Sequence, residues 1–153
     1  MIYPYNPSRH IFFPMKLYHN SVYNIILRYP YHWTKILGYD ERYGSNDGFF
    51  QISAISSGGA SIEQLASQEA FHQLNPYGSR PFILRSRIAG QEARFIFPSF
   101  DQPADMMRQA ALIVRYPRPI TISGETYDYF ILWSDIDHII FIARTLRFVS
   151  SNV

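Results

Sequence analysis

Glu69 and His72 stand three residues apart in a stretch of helical periodicity, a spacing that can set a carboxylate and an imidazole on one metal ion. A single E-x-x-H brings no further ligands, so the plain reading beside it is an exposed helix face. Asp135, Asp137 and His138 make a second acidic-imidazole group at an expected helix start. There the plain reading is strong, because carboxylates in a first turn gain about 0.3–1 kcal/mol from the helix dipole. His10, His19, His32, His72 and His138 are the available bases, yet no G-x-S-x-G elbow presents a serine to any of them. Gly58-Gly59-Ala60-Ser61 could cradle an anion at a helix start, but it lacks the phosphate-loop lysine and also reads as a simple turn. No catalytic residue is assigned on these grounds, and no metal or cofactor is expected.

The recognition surface with the best chemistry is arginine-rich. If residues 82–88 and 91–97 form a hairpin closed by Ala89-Gly90, then Arg85 lies opposite Arg94 and Arg87 opposite Glu92. Alternation puts Phe82, Leu84, Ile88, Ala93, Phe95 and Phe97 on a core face and Arg85, Arg87 and Arg94 toward water. Such a patch could grip a carboxylate-rich or phosphorylated partner; the bland alternative is a solvated face. On this reading Arg85→Glu with Arg94→Glu leaves folding intact and abolishes partner capture. A ligand pocket, if the chain has one, is expected near Glu69, His72, Tyr77 and Arg80.

These residues need a scaffold to hold them. At 153 residues the chain is about one domain long, a size that buries roughly 70% of its unfolded surface. It is 47% hydrophobic and 17% charged, with 12 Tyr and 12 Phe, which suits half-buried strands and argues against disorder. Zero cysteines remove disulfides, thiolate catalysis and Cys-ligated metals. A net charge of +2 with scattered Lys and Arg is too small for a nucleic-acid footprint. No apolar span of about 18 or more residues encodes a transmembrane helix, and residues 1–15, with three prolines, lack a signal-peptide core. The chain reads as soluble and cytoplasmic, or extracytoplasmic if it is an excised domain.

Residues 1–15 read as an extended arm whose Tyr3, Tyr5, Phe12 and Phe13 pack on the body, and residues 16–149 as one domain. Strands are expected from Lys16, through Tyr23 to Arg28, over 34–39, over 49–55, in the hairpin, over 109–116 and over 127–133, with turns at 19–21, 43–48 and 123–125 and a break at 116–119. Trp33 is expected in the core, with some of Tyr29, Tyr31, Tyr39 and Tyr43 left around a groove. Ser61 and Gln64 form a capping box that starts a helix carrying Ile62, Leu65, Ala66, Ala70 and Leu74. A last helix starts at Ser134 or Asp135, with Ile136, Ile139, Ile140, Ala143 and Leu146 on one side. Short loops make the sheet antiparallel and the class α+β.

Tyr18-His19-Asn20, followed by Tyr23 to Tyr29-Pro30-x-x-Trp33, resembles the opening strand pair and "YP-x-x-W" signature of the PsbP-like superfamily, and Ala143 to Phe148 resembles its terminal helix. The resemblance implies an antiparallel sheet flanked by helices on both faces, an α/β/α sandwich, in a bacterial standalone member. It also implies a non-enzymatic binding module that engages a protein or cell-envelope partner through the sheet face or end loops. The competing expectation is a small-ligand binder or hydrolase-type enzyme with its pocket near Glu69 and His72.

Overall fold

The computed structural model describes residues 14–149. The packing expected of Tyr3, Tyr5, Phe12 and Phe13 lies outside them. Strand β1 (Met15–Asn20) pairs antiparallel with β2 (Ile25–Pro30). Asn20 makes the turn between them, its Oδ1 accepting from Val22 N and Tyr23 N at 2.9 Å each. Ile25, Leu27 and Tyr29 alternate inward, as period-2 patterning requires.

The expected strand over 34–39 is only β3 (Thr34–Lys35), and the expected turn over 43–48 is mostly β4 (Arg42–Ser45). The true turn is Asn46-Asp47, since Ser45 pairs with Gly48 at the start of β5 (Gly48–Ile55). Polar and glycine residues signal a turn, but here the ladder absorbs all but two of them.

Helix α1 (Ile62–Ala70) begins with the full capping box: Gln64 N donates to Ser61 Oγ at 3.2 Å and Ser61 N donates to Gln64 Oε1 at 2.9 Å. It ends a turn earlier than expected, leaving Leu74 exposed. The hairpin of β6 (Phe82–Ile88) and β7 (Gln91–Phe97) has the expected register, with Arg85 opposite Arg94 and Arg87 opposite Glu92. Ala89 and Gly90 have φ of 53° and 77°, the paired left-handed geometry of a two-residue hairpin turn.

Strand β8 (Gln109–Ile122) does not stop at Pro117. It crosses both prolines through a register shift between Arg115 and Ile120, a bulge that accommodates residues with no N–H to give. It pairs with β9 (Glu125–Asp135), and α2 (Ile139–Thr145) follows. Helix α2 starts later than expected, exposes Ile140 and buries Ile142 instead. The residues that resemble a terminal helix split: Arg147–Phe148 form β10, paired with Ile26 and Ile25 of β2.

The strands make a seven-stranded antiparallel sheet, β3-β4-β5-β9-β8-β7-β6, and a three-stranded one, β1-β2-β10. Ala110, Leu112 and Val114 of β8 join one core cluster with Ile25, Leu27, Trp33 and the α2 residues Ile139, Ile142 and Ala143. Ala111 and Ile113 join the other, under Ile62, Leu65 and Ala66 of α1. The class is α+β, with antiparallel sheets and two helices. The three-stranded sheet and α2 contribute to the first of these clusters and α1 to the second.

Candidate functional site

Neither of the sites expected from sequence assembles as expected. Glu69 accepts hydrogen bonds from Tyr77 Oη at 2.6 Å and Trp133 Nε1 at 3.1 Å, tying α1 to the loop after it and to β9. Tyr77 is fully buried, and that burial together with the facing carboxylate pushes its phenol far above the usual range. His72 sits past the helix end, exposed, its Nδ1 accepting from Leu74 N at 3.3 Å, and Arg80 is exposed too. Glu69 and Tyr77 are joined for structure; His72 and Arg80 do not join them.

The arginine patch is corrected at one position. Arg85 and Arg87 are exposed, but Arg94 is only 3% accessible. Its guanidinium pairs with Glu63 in the first turn of α1 and donates to Ala93 O at 2.8 Å. The face opposite Phe95 is a second core roofed by α1, so alternation that was read as core against water is core against core at β7. Arg87 donates to Gly90 O at 3.0 Å, and Glu92 approaches Arg94 at 3.7 Å rather than Arg87.

A cleft of about 480 Å³ opens instead at the end of the fold where β2, the β4–β5 turn and the start of α2 meet. Pro30, Tyr31, His32, Asp47, His138 and Phe141 are among its walls. Trp33, held by a bond from its own N to Pro30 O at 3.0 Å, lies fully buried beside it. Its Nε1 donates to Asp47 Oδ1 at 2.8 Å, and His32 Nε2 donates to Asp47 Oδ2 at 2.9 Å. Burial pushes the Asp47 carboxyl up, but the bonds from Trp33 and His32 outweigh it and hold the group below its usual value.

On the other side of the indole, His138 stands edge-on to Trp33 with centroids 4.8 Å apart. Its Nδ1 donates to Asp135 Oδ2 at 2.7 Å, and the buried Asp135 also accepts from Phe49 N at 3.1 Å. Two aspartate–histidine pairs thus bracket one tryptophan. Asp135 fixes the ring so that Nε2, which has no partner among the described residues, is the nitrogen left for the cleft. Gly48 permits this packing: a Cβ there would fall against Asp135 Oδ1 and within 2.8 Å of both His138 Nδ1 and Trp33 Cζ2.

The hydrogen bond from Asp135 raises the His138 pKa above its ordinary value, against the opposing effect of burial. A raised folded pKa stabilises the protonated ring. That contribution is full below about pH 6.5 and fades as pH rises through the folded midpoint. An NMR titration of the His138 ring is expected to show a midpoint above about 6.5 that moves down in Asp135→Asn; a midpoint unchanged by that substitution would rule out the pairing as its cause.

Among the described residues, no group of three or more His, Asp or Glu is arranged to hold a metal, and no helix is long and apolar enough to cross a membrane. Sequence reasoning named His32, Asp135 and His138 but gave them to a pool of bases and to a helix dipole. It missed Asp47 altogether, as a turn residue. The one available signal was the indole of Trp33: a buried Trp N–H requires an acceptor, and Asp47 in the following turn is a nearby candidate.

No protein-family model matches the chain, and no curated protein matches it. Among solved structures it is similar to the solution structure of cyanobacterial PsbP (CyanoP) from Synechocystis sp. PCC 6803, at 12% identity and a TM-score of 0.47, over 88% of this chain and 92% of that one. No residue role and no function follow from a likeness at that level.

Proposed function

We propose that this protein is a non-enzymatic binding domain that engages a protein or cell-envelope partner through its end loops, at the Trp33 cleft. The observation that carries the reading is the bracketed indole: Asp47 and Asp135 each hold one imidazole at the rim of a half-open cavity. Tyr31 and Phe141 are exposed beside it and offer ring faces, while Asp47 and His138 Nε2 offer polar contacts. An apolar wall with a few convergent polar groups suits a ring or short aliphatic group that carries a hydrogen-bond donor. Asp137 at the rim is already paired with Arg108 at 2.8 Å. The three-layer α/β/α arrangement is part of this proposal, supported by α1 and α2 joining clusters lined by alternate residues of β8 and β9.

A second reading, a small-ligand enzyme, moves with the site from Glu69 and His72 to this cleft. The Asp135–His138 pair favours it, because an imidazole oriented by a carboxylate is the arrangement of a general base. Against it, among the described residues the cleft walls carry no serine, threonine or cysteine to activate.

The test is an NMR screen of the full chain against small aromatic amines and short amine-bearing peptides. Binding is expected to shift His32, Trp33 and His138 resonances, and Tyr31→Ala with Phe141→Ala is expected to remove it while leaving unfolding unchanged. Shifts confined to other surfaces, or binding that survives the double substitution, would overturn the cleft reading.

A further inference from the structure

Strand β6 ends the seven-stranded sheet, and its outer edge is free among the described residues. The two-residue turn makes Ile88 and Gln91 a hydrogen-bonded pair, so Ile88, Ser86, Leu84 and Phe82 spend their backbone groups on β7. Ile83, Arg85 and Arg87 therefore aim their N–H and C=O groups outward. No other described segment bonds them.

The side chains along that edge are sorted by face. Arg85 and Arg87 project on the α1 side, and neither guanidinium has a carboxylate partner among the described residues. Phe82 and Leu84 project on the opposite side, 59% and 41% accessible. Charged edges normally serve to repel stray strands, and arginines alone would fit that protective role. An exposed phenylalanine and leucine do not, since they add adhesive surface to an edge that no proline or bulge interrupts.

We propose that β6 is a docking edge for an extended peptide segment of a partner protein in which acidic and apolar residues alternate. The partner adds an eighth strand, its backbone bonded to Ile83, Arg85 and Arg87. Its carboxylates meet Arg85 and Arg87 on one face, and its apolar side chains cover Phe82 and Leu84 on the other. A second copy of β6 is a poor occupant, because centring it on Arg85 opposes arginine to arginine. This surface is separate from the Trp33 cleft and does not depend on it.

The probe is an end-blocked heptapeptide of alternating valine and glutamate, added to the isotope-labelled full chain. Binding is expected to slow amide exchange at Ile83, Arg85 and Arg87 specifically. Replacing both arginines, Arg85→Gln with Arg87→Gln, is expected to weaken it about fivefold at low salt, with little change in stability. A peptide of the same composition with its glutamates in one block is expected to bind more weakly. Equal binding of the blocked peptide, unprotected β6 amides, or shifts at His32 and His138 instead would each overturn the proposal; the last would leave the cleft reading standing.

Discussion

Arg94→Glu is expected to lower stability by about 3–5 kcal/mol, the range for breaking a buried ion pair and stranding a charge. The guanidinium is 3% accessible and holds both the Ala93 carbonyl and Glu63. A carboxylate in its place would be desolvated under α1 beside Glu63 and Glu92, which carry the same charge. In urea titrations the midpoint is expected to fall by about 1–5 M, at the slope usual for a small domain. Arg85→Glu, on the adjacent exposed strand, is expected to change stability by less than about 0.5 kcal/mol. The double substitution Arg85→Glu with Arg94→Glu is therefore expected to destabilise the fold through Arg94, not to leave it intact. Arg94→Glu unfolding at the wild-type midpoint would mean the α1 contact contributes nothing.

The second large effect is expected from a single methyl group. Gly48→Ala drives a Cβ into Asp135, His138 and Trp33 at once, and all three are fixed by hydrogen bonds or full burial. Overpacking of this kind costs about 1–3 kcal/mol, or roughly 2–12 °C in midpoint for a domain of this size. The same shift should misplace the His138 ring and weaken cleft binding. Adding His138→Ala removes one of the clashing groups, so the two substitutions should be non-additive by at least about 0.5 kcal/mol. Strict additivity, measured by calorimetry on the four proteins, would show that the glycine and the histidine do not meet.

What could be read from the chain and what could not follows from sequence distance. The capping box at Ser61 and Gln64 and the register of β6 on β7 are local, settled within a few residues, and both are legible. Trp33 in the core was legible because a large apolar ring after a Tyr-Pro turn has few other places to go. Strand β4 was hidden because Tyr43, Gly44 and Ser45 resemble turn residues, and only pairing with Phe49 and Phe50 makes them a strand. The run of β8 across Pro117 and Pro119 was hidden because the bulge depends on its neighbour β9. The cleft was least legible, since Trp33, Asp47, Asp135 and His138 come from segments with no common periodicity. Arg94 was misassigned for a different reason: alternation separates two faces but does not say which of them is wet.

The small sheet also sets an order of events in time. Strand β2 sits between β1, its neighbour in the chain, and β10, so Ile25 waits for Phe148 before its outer edge is covered. At about 5–20 residues per second, the interval between their synthesis is on the order of ten seconds. Through most of that interval the β1–β2 hairpin has Ile25, Leu27 and Tyr29 but an incomplete sheet to bury them against, because β5 lacks its partner β9 until Asp135 is made. Nascent chains of this protein should therefore be sensitive to whatever holds an unfinished hairpin apart from its neighbours, and the Trp33 cleft should be among the last parts of the molecule to exist.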